Sequence, residues 1–289
     1  MQRTAPAPTV SVLMPARHAE RWVADAVASL IAQSTPGWEL ELVADDSVDY
    51  AAVLAAAGID DRRIRHHRTD RPASGPAAAR NVGLAAARGR FVAPLDADDV
   101  FAPTRLERLL PLAARHGVAA DRVLVRDRAT DRVLGVAPGA ERPPSWLSPE
   151  AYVGVLTPLT LVLDRALAGE GWDEAVRFGE DTLFNLRVLC ASGGAPLDPR
   201  PLHEYRVTAG SACHAADATE RAEAAYRTCL ARLDDDGLGL RGAAARVLAR
   251  RALEHRRAAN RAFARHAAAN PGASFQGWAL AAPAATAAA

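Results

Sequence analysis

The chain has 289 residues, 49% of them hydrophobic and 24% charged, with a net charge of +1. That length allows one large α/β domain or two smaller ones with a sizeable core, and the balanced charge excludes a general electrostatic pull toward nucleic acid. All 35 basic residues are Arg, so no Lys is present to form a Schiff base or bind phosphate. Cys190, Cys213 and Cys229 have no CxxC spacing, which argues against a disulfide framework or zinc cluster and fits a reducing, cytoplasmic setting.

Residues 1–8 read as a Pro-broken, disordered leader. Val10–Met14 is a short apolar strand stopped by Pro15. Glu20–Gln33 carries Trp22, Val23, Val27, Leu30 and Ile31 at helical spacing, and Pro36-Gly37 breaks it. Leu40–Ala44 is a second strand, ending at Asp45-Asp46. Tyr50–Gly58 reads as a helix, Arg63–His67 as a weak strand, and Gly75–Arg88 as a helix with Pro in its first turn. Phe91–Leu95 is the next strand. This β-α-β-α-β-α-β rhythm predicts a mainly parallel central sheet flanked by helices, with ligands beyond the carboxyl ends of the strands.

After residue 100 the pattern changes. Thr104–His116 is a helix, Arg122–Val136 a hairpin turning at Ala129–Asp131, and Ala140–Pro149 a Pro-rich loop. Leu159–Leu163 reads as a strand, Glu180–Ala191 as a helix, and Ser192–Pro201 as a Gly/Pro-rich connection. Ala218–Leu233 and Arg241–Ala268 are helical. The second of these carries eight Arg residues over an Ala/Leu face. It is either a solvated helix packed on the domain or a surface for anionic lipid head groups, a peripheral contact with the inner face of the plasma membrane. No run of about 18 uninterrupted apolar residues predicts a spanning helix. The expected organisation is one main domain over 9–215, divided into halves 9–100 and 101–215 where the pattern changes. A helical extension (216–270) and an Ala-rich tail (271–289) follow.

The densest chemical signal is Arg90–Asp99, an apolar run that ends in Asp96-Ala97-Asp98-Asp99. Three carboxylates within four residues repel one another unless a cation sits among them, and an all-oxygen set suits Mg²⁺ or Mn²⁺. The alternative is a solvated acidic turn. Pro15-Ala16-Arg17 and Asp45-Asp46 fall at the ends of the first two strands, where they can grip a nucleotide or simply form turns. Gly75–Gly83 contains Arg80, a guanidinium fork suited to carboxylate or phosphate, followed by Asn81. Glu180-Asp181 opens a helix and reads either as a dipole complement or as a general base facing the crevice. Trp172 offers a flat face to a sugar ring or belongs to the core. Arg206 and His214 are candidates for phosphate or metal binding.

Taken in order, Pro15, Asp45-Asp46, Ala79-Arg80-Asn81-Val82-Gly83, Leu95–Asp99, Gly171-Trp172-Asp173-Glu174 and Gly179-Glu180-Asp181 resemble the family 2 glycosyltransferases of GT-A fold, over residues 9–215. The resemblance implies an inverting, metal-dependent transfer from a UDP-, dTDP- or GDP-sugar to a carbohydrate, lipid-linked or small-molecule acceptor. It implies a catalytic domain with a nucleotide-binding half (9–100) and an acceptor-side half (101–215), and Asp98 as metal ligand, Asp96 at the ribose or metal, Asp45 at the base, Asp181 as catalytic base with Glu180 in support, and Arg206 near the diphosphate. Two departures stand out: no Gly follows Asp45-Asp46, and the first turn reads Pro-Ala-Arg-His. The competing readings are a nucleotidyltransferase, which wants a Gly-rich loop where Pro15–Ala19 has none, and an inactive nucleotide-sugar-binding protein.

Overall fold

The computed structural model describes residues 8–139, 144–208, 215 and 217–281. The chain forms two compact units, one of Met1–Ala120 with Thr160–Glu174, the other of Asp121–Leu159 with Ala175–Ala289. These interleaved boundaries differ from the contiguous halves expected, because strand pairing recruits residues 160–174 back to the first unit.

The first unit contains β1 (Val10–Ala16), α1 (Val23–Ile31), β2 (Trp38–Ala44), α2 (Tyr50–Ala56), β3 (Ile64–Arg68), α3 (Pro76–Ala86), β4 (Phe91–Pro94), β5 (Val100–Phe101) and α4 (Arg105–His116). It also holds the start of β6 (Val118–Asp127), then β9 (Val162–Asp164) and a 3-10 turn at Arg165–Ala168. The strand order is β3-β2-β1-β4-β9-β6. The first four strands are parallel, and β9 runs antiparallel to β4 and to the start of β6.

Both faces of this sheet are covered. Val10, Val12 and Met14 of β1 and Leu40, Leu42 and Ala44 of β2 share a core with Val23, Val27 and Leu30 of α1 and Leu106 and Leu109 of α4. The period-2 alternation turns Ser11, Glu39 and Glu41 to the other face, beside α3. There Gly83 lies within a Cβ's contact of Leu13, Glu41 and Val43. All seven residues of β2 are buried.

Pro15 does not stop β1, which runs on to Ala16. The Leu13 carbonyl accepts from the Leu95 N–H, so odd residues of β1 address β4. That ladder ends at Leu13 opposite Pro94, because the Pro15 nitrogen that would continue it toward the Leu95 carbonyl carries no hydrogen; β1 runs on through its pairing with β2, to Ala16 opposite Ala44. The Pro94 nitrogen faces β9, and the β4–β9 ladder already ends at Val92. Helix α1 starts at Val23 rather than Glu20, with Trp22 as its N-cap residue.

The second unit carries the rest of β6, β7 (Val133–Ala137), β8 (Trp146–Leu147), α5 (Pro149–Val153), α6 (Glu180–Ser192), β10 (Ala195–Val207), α7 (Ala218–Asp235), α8 (Ala243–Ala269) and α9 (Phe275–Ala281). The expected hairpin is β6–β7, turned where Asp127 accepts from the Thr130 N–H and hydroxyl. Three sequence readings need correction. The Gly/Pro-rich Ser192–Pro201 is mostly strand: Gly193 closes α6 in the left-handed region, and β10 then pairs with β8. Gly194, at φ +112°, lets β8 approach, because a Cβ there would sit 2.3 Å from the Trp146 indole nitrogen. Part of the expected 140–149 loop is β8, and Pro149 opens α5 at its first turn, where Pro costs no hydrogen bond; residues 140–143 lie outside the described residues. The expected tail includes α9, whose Phe275 and Trp278 stand 5.3 and 5.7 Å from the Phe263 ring of α8.

The Arg-rich helix α8 packs on α7 through ion pairs. Glu223 of α7 accepts from Arg257 and Arg261, which hold its carboxyl down at about 2, and Arg250 pairs with Asp234. These contacts support the packed-helix reading. Among the described residues no helix is long and apolar enough to cross a membrane.

Candidate active site

The carboxyl ends of β1, β2 and β4 carry most of the residues singled out in the sequence. Pro15 and Ala16 close β1, and the Asp45 N–H donates to the Ala16 carbonyl at 2.8 Å, tying the two strand ends together. Arg17 follows, exposed. Asp45 is buried at 3% exposure. Its Oδ1 accepts from the Thr69 hydroxyl and the Ser74 N–H, both at 2.8 Å, and its Oδ2 from the Gly75 N–H at 2.9 Å. Asp46 accepts through Oδ2 from the His18 N–H at 2.7 Å and the Tyr50 hydroxyl at 3.0 Å, and through Oδ1 from the Val48 N–H at 3.1 Å. The Tyr50 oxygen in turn accepts from the Ala19 N–H at 3.1 Å. Burial, with Asp46 beside it, drives the Tyr50 phenol well above its ordinary range, so it stays protonated and donating.

The aspartate pair therefore fastens two loops, 16–19 and 69–75, one on each side of the β2 end. Each loop holds a non-glycine residue at positive φ: His18 at 52° and Ala73 at 62°. Such geometry costs on the order of 1–3 kcal/mol and persists only where its surroundings enforce it. The Asp46 carboxylate on the His18 N–H, and the Asp45 carbonyl accepting from the Ala73 N–H at 2.8 Å, supply that enforcement. Sequence reasoning missed Tyr50, Thr69 and Ser74 here. The available signal was an aromatic hydroxyl four positions after Asp46, on the first residue of the next helix.

Beyond β4, Asp96 accepts from the Arg80 guanidinium at 2.7 Å. Arg80 is 6% exposed, and it lies 5.9 Å from the Trp172 ring. This cation thus serves an aspartate of the acidic run directly. Ala97 is buried, Asp98 half-buried and Asp99 only 1% exposed. Among the described residues no group of three or more His, Cys, Asp or Glu side chains forms a metal cage. The oxygen-only donors nevertheless fit a divalent ion of the kind that is bound by one or two carboxylates and completed by water and substrate phosphates.

Trp172 is buried, at 4% exposure. Its backbone is held by Asn81: the Trp172 N–H donates to Asn81 Oδ1 at 2.8 Å, and Asn81 Nδ2 donates to the Trp172 carbonyl and to Glu174 Oε1, both at 2.9 Å. The adjacent Arg80 and Asn81 thus secure two separate segments from one helix.

Glu180 and Asp181 lie on the second unit, in the first turn of α6 after Gly179 at φ +83°. Both are half-buried, and Asp181 Oδ1 accepts from the Thr182 N–H at 2.7 Å. Beneath them Tyr152 of α5 is 1% exposed and accepts from Asn185 Nδ2 at 3.1 Å. Burial pushes its phenol up to about 12. Arg206 lies on β10 and donates to Glu204 at 2.7 Å, while Arg126 reaches the other Glu204 oxygen at 3.1 Å. His214 lies outside the described residues.

Residues 11–136 match the family described as Glycosyl transferase family 2. Over 220 residues the chain is 32% identical to the succinoglycan biosynthesis protein ExoO of Rhizobium meliloti (strain 1021), covering 71% of this chain and 62% of the relative. Over 110 residues it is 34% identical to the UDP-Glc:alpha-D-GlcNAc-diphosphoundecaprenol beta-1,3-glucosyltransferase WfgD of Escherichia coli, covering 38% and 43%. The chain spans less than two thirds of the length of these curated relatives. Among solved structures, the mannosyltransferase PcManGT from Pyrobaculum calidifontis, in complex with GDP-Man and Mn²⁺, aligns with a TM-score of 0.62 at 21% identity, over 96% of this chain and 79% of that one. That likeness establishes the fold, which is of GT-A type as expected.

Proposed function

We infer that this chain, which carries a family 2 glycosyltransferase domain, transfers a glycosyl group from a nucleoside-diphosphate sugar to a hydroxyl acceptor with inversion at the anomeric carbon. One observation carries the reading: two loops fastened by Asp45 and Asp46, and the acidic run Asp96–Asp99 under Arg80, occupy the same strand-end edge of a parallel sheet. This is where nucleotides bind in open α/β sheets. The loops 16–19 and 69–75 shape the nucleoside pocket, and Asp45 and Asp46 hold it open.

Asp98, with Asp96 oriented by Arg80, would hold a Mn²⁺ or Mg²⁺ ion against the diphosphate. When bound, the ion neutralises charge on the leaving group. Asp181 takes the proton of the acceptor hydroxyl as its oxygen bonds to the anomeric carbon. The bond from that carbon to the phosphate oxygen breaks, and its electron pair leaves with the nucleoside diphosphate. The likeness to a succinoglycan biosynthesis protein and to a glucosyltransferase acting on a diphosphoundecaprenol-linked sugar supports a polysaccharide or lipid-linked acceptor.

The test is a thermal-shift panel of UDP-, GDP- and dTDP-sugars with and without Mn²⁺, since a ligand that binds only the folded state raises the midpoint. At least one nucleotide sugar should stabilise the protein in a Mn²⁺-dependent way. Asp98→Asn should lose that dependence. Asp181→Asn should keep it while turnover falls by about 10²–10⁴. No stabilisation by any nucleotide sugar, or an unchanged Mn²⁺ dependence in Asp98→Asn, overturns the reading.

A further inference from the structure

We propose that Arg256 is an anion-binding residue of the acceptor site: its guanidinium takes a carboxylate or phosphate carried by the acceptor, beside the acid that would accept the acceptor's proton. The proposal deepens the functional reading and rests on Asp181 as the base. Every group it invokes belongs to the second unit. The buried stripe of α8 runs through Ala249, Ala252, Leu253, Arg256, Asn260 and Phe263, the spacing of a core-facing helix. One position of that stripe is a cation, and Arg256 is 7% exposed. The adjacent Arg257 pairs with Glu223, and Asn260, one turn on, donates to the Thr219 carbonyl at 2.8 Å. Arg256 differs from both. Among the described residues no hydrogen bond or ion pair reaches it, and its Nη1 is buried without a partner.

What Arg256 does have is the Tyr152 ring, whose centroid lies 5.9 Å from its Cζ. An aromatic face attracts a cation weakly at that distance and does not replace an oxygen acceptor. Burying a charge without a counter-charge is costly, and the planar guanidinium fork is matched by the oxygens of a carboxylate or phosphate. Tyr152 also links this cation to Asp181. Helices α5, α6 and α8 pack together, and the Tyr152 hydroxyl accepts from Asn185 at 3.1 Å and meets the Thr182 side chain. Thr182 follows Asp181 and gives it its backbone N–H. The phenol senses both charges: after burial, which is the largest cause, Arg256 pulls its value down and Asp181 pushes it up. Acid and cation thus share one neutral neighbour. An acceptor that brings an oxyanion to Arg256 is held there by charge with a hydroxyl left for Asp181, whereas a neutral acceptor leaves the buried cation uncompensated. The arrangement selects acceptors by charge.

The experiment titrates the full chain calorimetrically with glucuronate and glucose 1-phosphate, with glucose as the neutral control, in wild type, Arg256→Met, Arg256→Lys and Asp181→Asn. Urea unfolding is followed on the same samples. Wild type should bind at least one of the two anionic sugars about 10-fold or more tighter than glucose. A preference for glucuronate points to a carboxylate on the acceptor, and one for glucose 1-phosphate to a phosphate. Arg256→Met should lose the preference and be at least as stable as wild type, since it replaces an unpaired buried cation by an apolar side chain of similar length. Arg256→Lys keeps the charge without the fork and should retain part of the preference. Equal affinity of wild type for the three sugars, or an unchanged preference in Arg256→Met, overturns the proposal. So does an Arg256→Met protein that is destabilised or unfolded, because Arg256 is then a packing residue held by Tyr152. Asp181→Asn separates this failure from that of the functional reading: it should keep the anion preference and lose turnover. If it is inactive and wild type shows no preference, the anion site alone is wrong. If it turns over normally while Arg256 still governs the preference, the base assignment falls and the anion site stands without its place beside the base.

Discussion

The first unit contains two systems of buried acids, and they are built differently. On the α3-facing side of the sheet, Glu39 and Glu41 are 1% and 0% exposed and are paired with side chains. Glu39 accepts from the Ser11 hydroxyl at 2.6 Å, the Arg88 N–H at 2.8 Å and the Arg88 guanidinium at 2.5 Å; Glu41 meets Arg65 at 2.7 Å and His67 at 2.5 Å. At the strand ends, Asp45 and Asp46 are bonded mostly to backbone N–H groups of loops. The first system seals α3 and the chain after it against the sheet. The second shapes loops that face outward. Burial of an acid alone therefore says little about function; the kind of group it binds says more. Side-chain cations neutralise the acid and close the site, whereas loop amides bend the backbone around a space.

That comparison can be broken by substitution. The largest effect is expected at Asp45. Asp45→Ala leaves two loop N–H groups and the Thr69 hydroxyl without their acceptor, at a cost of about 3 kcal/mol or more in unfolding free energy. It should also abolish nucleotide-sugar binding, because the 69–75 loop is released. Urea denaturation beside calorimetric donor titration reads both quantities; loss of stability with intact donor affinity would place the nucleoside pocket elsewhere.

Glu39→Gln should come next, at about 2 kcal/mol, since one amide oxygen must replace two buried carboxylate oxygens that accept from Ser11 and Arg88, and the new amide N–H₂ faces those donors. Donor affinity should not change. If it falls, the two acid systems are coupled and the distinction drawn between them fails.

Glu41→Gln should be the mildest, at about 1 kcal/mol or less, and it separates from Glu39→Gln by its pH dependence. Burial raises both carboxyls, but the Ser11 and Arg88 bonds bring Glu39 below its ordinary value, while Glu41 stays above despite His67 and Arg65. A lowered folded value stabilises above the ordinary carboxylate range and is lost as pH falls through it. A raised one gives the opposite: wild type gains on Glu41→Gln as pH falls from neutrality toward the ordinary value. Unfolding curves should therefore show the Glu41→Gln difference sloping between neutral pH and the ordinary carboxylate value, and the Glu39→Gln difference sloping the other way, and only below that value. Parallel slopes would refute the assignment of the two environments.

Much of this was legible in the residues. The alternation of strand and helix signals to residue 99 is local, and it implied the parallel direction of β1–β4 because a helix crossing between two strands of one sheet makes them parallel; that β4 returns to pair with β1 rather than β3 was decided by the fold. The acidic run after β4 and the Arg80-Asn81 pair were visible as unusual clusters. Which protein group Arg80 meets was not, since a guanidinium fork suits any carboxylate within reach, and the 2.7 Å contact with Asp96 forms only in the folded unit. Trp172 stood undecided between sugar platform and core for the same reason; its partners lie some ninety residues away, and burial is a property of the assembled unit. Ser192–Pro201 was misread because Gly and Pro signal turns locally, while the pairing of β10 with β8 comes from a segment about fifty residues earlier.

The sequence by itself determined the architecture of the first unit, its family resemblance and the edge of the sheet where chemistry would sit, because periodicity, turn residues and charge clusters act over a few neighbours. The tertiary structure decided which acids bind loops and which bind cations, that Asn81 grips Trp172 and Glu174, and that Arg250, Arg257 and Arg261 of α8 pair with carboxylates of α7. Those outcomes depend on distances between residues far apart in the chain, and a side chain's ionic state and accessibility are fixed only once those distances exist.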